Sequence, residues 1–105
     1  MMVSRNKDRL QNFVKTLDGS EHQILICDLS QHDELKQALD TVDLPAFGPI
    51  DGMVLCAGQH LFRPFALSKE QHFLQQFSAN VLTATNTIHA FLKLLSKKTS
   101  SIVLL

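Results

Sequence analysis

Three stretches of the chain are almost continuously apolar: "HQILIC" from His22 to Cys27, "DGMVLC" with its apolar part from Gly52 to Cys56, and the closing "IVLL". Runs this short, rich in β-branched residues and bounded by polar ones, predict strands covered on both faces. Between them the apolar positions recur at helical spacing. Leu10, Val14 and Leu17 predict a helix from Arg5 to Leu17, with Ser4 as N-cap and Gly19 as stop. Ser30 and Asp33 resemble a capping box ahead of Leu35, Ala38, Leu39 and Val42, and Pro45, Gly48 and Pro49 then mark a loop. The strongest periodicity runs through Leu74, Phe77, Val81, Ile88, Phe91 or Leu92, and Leu95. It predicts one long helix over 68–97, opened by Ser68 with Gln71 in the reciprocal capping position. Alternating helices and buried strands imply parallel strands joined by right-handed crossovers, with helices on both faces of an α/β sheet.

Composition narrows the partners. Ten Lys and Arg balance ten Asp and Glu, which removes the attraction that nucleic acid or an anionic membrane requires. No run of apolar residues approaches the length of a membrane span or a signal peptide, so the chain reads as cytoplasmic. The 105 residues make one domain over 1–105, small for an α/β enzyme with both a cofactor site and a substrate site. Cys27 and Cys56 each close a predicted strand, where a free thiol serves as a small core residue.

Ligands of doubly wound sheets bind at the carboxyl ends of the strands. Asp28-Leu29 and Cys56-Ala57-Gly58 should therefore share one functional edge, and Gly58 allows the backbone to approach a ligand closely. The segments "CDLS", "IDGMVLCAG", "FSANVLTATNTIHAFLKLL" and "SSIVLL", in this order and spacing, resemble the middle of a short-chain dehydrogenase/reductase. "VSRNKDRL" resembles the end of that family's second strand and the helix after it. The resemblance implies a Rossmann-like parallel sheet with flanking helices, incomplete because the first strand and the C-terminal half are missing. It implies NADP or NAD as cofactor. Asp28, with Leu29 next to it, looks like the acidic residue beside the adenine ring. Cys56-Ala57-Gly58 is similar to the end of the Asn-Asn-Ala-Gly motif, with Leu55 and Cys56 replacing both asparagines. Asn80 matches the helix asparagine that organises the proton relay. Arg5 matches a position where basic residues meet the 2′-phosphate of NADP, which a guanidinium can grip through paired hydrogen bonds.

Other parts of the family pattern are missing. Gly19, Gly48, Gly52 and Gly58 form no glycine-rich phosphate turn, and the chain contains no tyrosine, the residue type that serves the family as general acid/base. The strand order 3-2-1-4-5-6 puts the first strand in mid-sheet. Met1 to Val3 would be a remnant of strand two, and a gap would separate it from "DGMVLC". Unpaired apolar edges flanking that gap predict a marginal chain, or one that closes the gap by pairing strands differently or between chains.

Plainer readings stand beside these. Asp28 could cap the turn after its strand, and Asn80 could face solvent. Cys56 with His60 lacks an orienting third group for nucleophilic catalysis, which leaves a buried structural cysteine and a loop histidine. Cys27, Cys56 and His60 follow no zinc spacing, so no metal is expected. His72 and His89 read as surface or interface residues, and Phe73, Phe77 and Phe91 as core. Three functions remain open. The first is a partial NAD(P)-dependent oxidoreductase, inactive alone. The second is an interaction scaffold that forms a homo-oligomer or pairs with an intact relative through helix 68–97, with His89, Lys93 and Ser96 as contacts. The third is a nucleotide module with an adenosine pocket at Asp28 and Gly58.

Overall fold

A computed structural model describes residues 1–44 and 48–105. Pro45 of the expected loop lies outside the described residues, while Gly48 turns the chain at φ +67°. Among the described residues four short strands form, β1 (Met2–Ser4), β2 (Ile24–Ile26), β3 (Gly52–Leu55) and β4 (Ser101–Leu104). The helices are α1 (Lys7–Val14), α2 (His32–Asp40), α3 (Glu70–Phe77) and α4 (Thr83–Phe91). The architecture is the expected α/β arrangement of parallel strands and flanking helices. α1 packs on β1 and β2, and α2 on β2 and α4.

The sheet is divided. β1 pairs in parallel with β2, Val3 opposite Leu25, and β3 with β4, Val54 opposite Val103. Among the described residues no ladder joins the two pairs. The predicted gap is therefore present and stays open within the chain. The core forms around Leu25, Cys27, Leu35, Leu39 and Phe91, with Val3, Ile50, Met53 and Leu94 packed against it. It thus draws on both halves of the divided sheet.

Every predicted helix start moves, and each for a local reason. Asn6, not Ser4, caps α1: its Oδ1 accepts the Arg9 amide at 2.8 Å, while Ser4 is held in β1 opposite Ile26. After α1, Gly19 adopts φ +92°, where a side chain would be strained. Gln31 precedes α2, because the Ser30 hydroxyl donates to Asp28 Oδ1 at 2.7 Å and is not available as a cap. α3 begins after Lys69, whose amide donates to His72 Nδ1 at 2.9 Å, and the Ser68 hydroxyl donates to the Pro64 carbonyl instead. Gln71 plays no capping part.

The long helix is one continuous run with a π-helical turn at Ser78–Leu82, closed by the Thr83 amide donating to the Ser78 carbonyl. A wider turn changes the phase of everything after it. Leu74 and Phe77 before the turn and Val81 within it therefore share no face with the buried residues after it and lie outside, 61%, 52% and 40% exposed. The buried face beyond the turn is Thr83, Thr87 and Phe91. Both threonine hydroxyls are satisfied by carbonyls four residues back, Thr83 on Ala79 and Thr87 on Thr83, so they behave as core residues. Phe91 is core as expected, whereas Phe73 and Phe77 are about half exposed.

Candidate functional site

The carboxyl ends of β2 and β3 open onto one cavity of about 820 Å³ between the half-sheets, lined by Cys27 to Ser30 on one side and Leu55 to Gln59 on the other. Asp28, Leu29, Cys56, Ala57 and Gly58 are thus brought to one edge, together with Arg5. Asn80 joins them indirectly, through Gln59.

Asp28 is built into the turn after β2. Its Oδ1 accepts the Ser30 amide at 2.9 Å and the Ser30 hydroxyl at 2.7 Å, and its own amide donates to Glu34 Oε1. Its Oδ2 meets Arg5 at 3.4 Å, with the arginine side chain 74% exposed. The capping reading of Asp28 therefore holds for Oδ1, which closes the turn, while Oδ2 lies toward Arg5. The Ser30 hydrogen bonds, and after them the Arg5 charge, hold this carboxyl below its ordinary range. A folded value below the unfolded one stabilises the chain above about pH 4, and that contribution disappears as pH falls through the folded value. Asp28→Asn is expected to flatten the acid limb of a stability-against-pH curve followed by circular dichroism; an unchanged limb would remove Asp28 from this role.

Asn80, on the π turn, clamps the segment after β3. Its Oδ1 accepts the Gln59 amide at 2.8 Å, and its Nδ2 donates to the Gln59 carbonyl at 3.0 Å and the Gln76 carbonyl at 2.9 Å. Gly58 makes this approach feasible, because a Cβ there would stand 2.7 Å from Asn80 Oδ1. The glycine is needed for a side chain of the protein itself. Two further residues escaped the sequence reading. Asn86 donates from Nδ2 to the Leu29 and Ser30 carbonyls at 3.2 and 3.3 Å, tying α4 to the turn that holds Asp28. Gln76, beside Asn80, keeps a buried Nε2 without a partner. The one available signal was the cost of asparagine inside a helix, which Asn80 and Asn86 both carry.

The two thiols differ. Cys27 is buried, and burial, followed by the nearby Glu34 and Asp28 charges, pushes its pKa up. Cys56, expected in the core, is exposed because it lies one residue past β3. Iodoacetamide near pH 8 should modify Cys56 readily and Cys27 at least about tenfold more slowly. Mass mapping of the labelled peptides checks this, and equal labelling would contradict the burial of Cys27. Among the described residues no three His, Cys, Asp or Glu side chains are placed to hold a metal ion together. No helix among them is long and apolar enough to cross a membrane.

Parallel strands, flanking helices and a strand-end crevice holding a carboxylate define a Rossmann-like α/β chain. It belongs to the short-chain dehydrogenase family, whose model matches residues 1–105. Carbonyl reductase family member 4 of Danio rerio is 29% identical over 90 residues, covering 86% of this chain and 38% of that protein. An alcohol dehydrogenase from the archaeon Thermococcus sibiricus, solved in complex with 5-hydroxy-NADP, superposes with a TM-score of 0.81 at 25% identity over 97% of this chain and 44% of its own. A glucose/ribitol dehydrogenase of the same family from Brucella melitensis gives 0.83 at 24% identity, covering 98% and 44%. The chain spans less than half the length of each of these relatives.

Proposed function

We propose that this chain carries the adenosine side of an NAD(P)-dependent oxidoreductase site and catalyses no hydride transfer alone. The observation that carries the reading is the Asp28 carboxylate, fixed by Ser30 with Oδ2 toward the rim, on the same edge as the clamped Gly58-Gln59 backbone. The residues fit one half of a dinucleotide. Oδ2 can accept an N–H from a purine, and Arg5, exposed beside it, can turn from Asp28 to a ribose phosphate. A bound dinucleotide would supply the hydride chemistry. Pyrophosphate recognition needs a row of backbone donors at a helix N-terminus. None of the four glycines forms such a turn, and without tyrosine this chain has no phenol to deliver a proton. The relative solved with 5-hydroxy-NADP supports the choice of cofactor class.

A second reading keeps a specific observation of its own. The outward Leu74, Phe77 and Val81 form an apolar strip on the long helix that suits pairing with a copy or a relative. It lies beside the contacts expected from sequence, of which His89 and Lys93 are exposed and Ser96 is half-buried. Calorimetric titration of AMP, NADH and NADPH, with the molecular mass measured in the same buffer, separates the readings. AMP is expected to bind in the millimolar range and to lose that binding in Asp28→Asn, with neither turnover nor micromolar dinucleotide binding. Micromolar dinucleotide binding would contradict the half-site, and AMP binding indifferent to Asp28→Asn would move the site elsewhere. A folded oligomer that binds no nucleotide would favour the scaffold.

A further inference from the structure

The dipeptide Asp-Gly occurs twice, as Asp18-Gly19 after Leu17 and as Asp51-Gly52 after Ile50. An aspartate side chain can close onto the main-chain nitrogen of the residue that follows it, and glycine, with no Cβ, hinders that nitrogen least. Ring closure requires the aspartate Cβ to eclipse this nitrogen about the Cα–C bond. Extended backbone, with ψ of about +115° to +135°, holds the Cβ roughly 120° from that alignment. Both copies have the same local chemistry, an aliphatic residue followed by aspartate and glycine, so the fold decides between them.

Asp51 is held on both sides. Ile50 donates to the Leu94 carbonyl at 2.7 Å and accepts the Ser96 amide at 2.8 Å, and the Asp51 carbonyl accepts the Ser101 amide at 3.1 Å. Gly52 then opens β3 in register with Ser101. Turning Asp51 into alignment would break the start of the β3–β4 ladder. Asp18 is held at one point. It lies between α1 and β2, outside both elements, and Leu17 makes the last bond of the α1 end, to the Val14 carbonyl. Among the described residues no main-chain amide from Asp18 to Glu21 donates a hydrogen bond, and the Asp18 carboxylate makes neither a hydrogen bond nor an ion pair. The carbonyl oxygen of Asp18 accepts His22 Nε2–H at 2.7 Å, one exposed bond that water can replace. Both residues of the pair are exposed, and φ +92° reserves the second position for glycine.

We infer that Asp18-Gly19 is a self-modification site, at which the chain isomerises to isoaspartate, while the sheet protects Asp51-Gly52. The Gly19 nitrogen attacks Cγ of the protonated Asp18 carboxyl. The new C–N bond closes a five-membered succinimide, and the carboxyl OH leaves with the amide proton as water. A second water then opens the ring. Breaking the Cγ–N bond restores aspartate, whereas breaking the bond from the nitrogen to the former Asp18 carbonyl carbon reroutes the main chain through Cβ and Cγ. The sequence of steps is redox-neutral and uses solvent alone. The isomer adds one carbon to the α1–β2 connection and turns the carbonyl beside His22 into a carboxylate. This inference stands apart from the nucleotide reading.

Its test keeps the folded chain at physiological temperature and mildly acidic pH in heavy-oxygen water, where each passage through the ring leaves one heavy oxygen. Fragmentation mass spectrometry of the peptides reads the label at each aspartate. Asp18 is expected to take up label at least about tenfold faster than Asp51, with isoaspartate accumulating at Asp18, and the two rates are expected to converge in urea, where the ladder is gone. Equal uptake in the folded chain, or none at Asp18, would overturn the inference. A difference that persists in urea would overturn it as well, by assigning the effect to the neighbouring residues and not to the fold.

Discussion

Leu35→Ala is expected to remove most of the stability of this chain. Leu35 is 0% exposed and sits at the centre of the cluster formed by Leu25, Cys27, Leu39 and Phe91. Truncating a leucine in such a position costs about 2–5 kcal/mol, the transfer term plus the cavity left behind. Domains of this size hold roughly 5–15 kcal/mol in total. A chain whose described residues bury so few apolar side chains and pair strands only two by two belongs at the low end of that range. Urea denaturation followed by circular dichroism should show the midpoint collapse toward zero denaturant. A loss below about 1 kcal/mol would mean that Leu35 does not pack as described.

Gly58→Ala is expected to unfasten the segment after β3. The new methyl cannot share space with Asn80 Oδ1 at 2.7 Å, so the asparagine must swing away and lose both bonds to Gln59. Net values of about 0.5–1.5 kcal/mol per hydrogen bond, at the lower end for an exposed pair, give a loss of roughly 1–2 kcal/mol. The Gln59 amide should exchange faster. Asn80→Ala deletes the same two bonds from the other side, so the double variant should lose little more than either single one. Additive losses would show that Gly58 serves something other than this clamp.

These two sites also mark how far the sequence could be read. Leu35 and Leu39 were recognisable as core because α2 keeps an uninterrupted helical period. Leu74, Phe77 and Val81 carried the strongest period in the chain and nevertheless point outward. The π turn at Ser78–Leu82 changes the phase, and nothing in an apolar pattern announces it. The strands were legible from their unbroken apolar runs, and so was the gap between them, but only through the strand order of the resembled family. Caps were misread where the candidate serine had another duty. The Ser30 hydroxyl donates to Asp28, two residues back, and the Ser4 backbone pairs in a strand, so neither serine is left to cap the helix that follows. Asp28 and Gly58 were legible as edge residues from strand ends alone, whereas the bonding of Asn86 required knowing that α4 passes over the turn after β2.

The divided sheet has a mechanical consequence. In a continuous sheet, sliding or splaying of neighbouring strands is resisted by a ladder of directional bonds. Here the halves are coupled through side chains, by α2 against α4 and by Asn86 across Leu29 and Ser30. Packed helices shear more readily than paired strands part. The contacts of α2 with α4 and the bonds of Asn86 therefore carry the coupling that a ladder would otherwise give the two strand pairs. The same contacts hold Asp28 and Gly58, one on each strand pair, to a single edge.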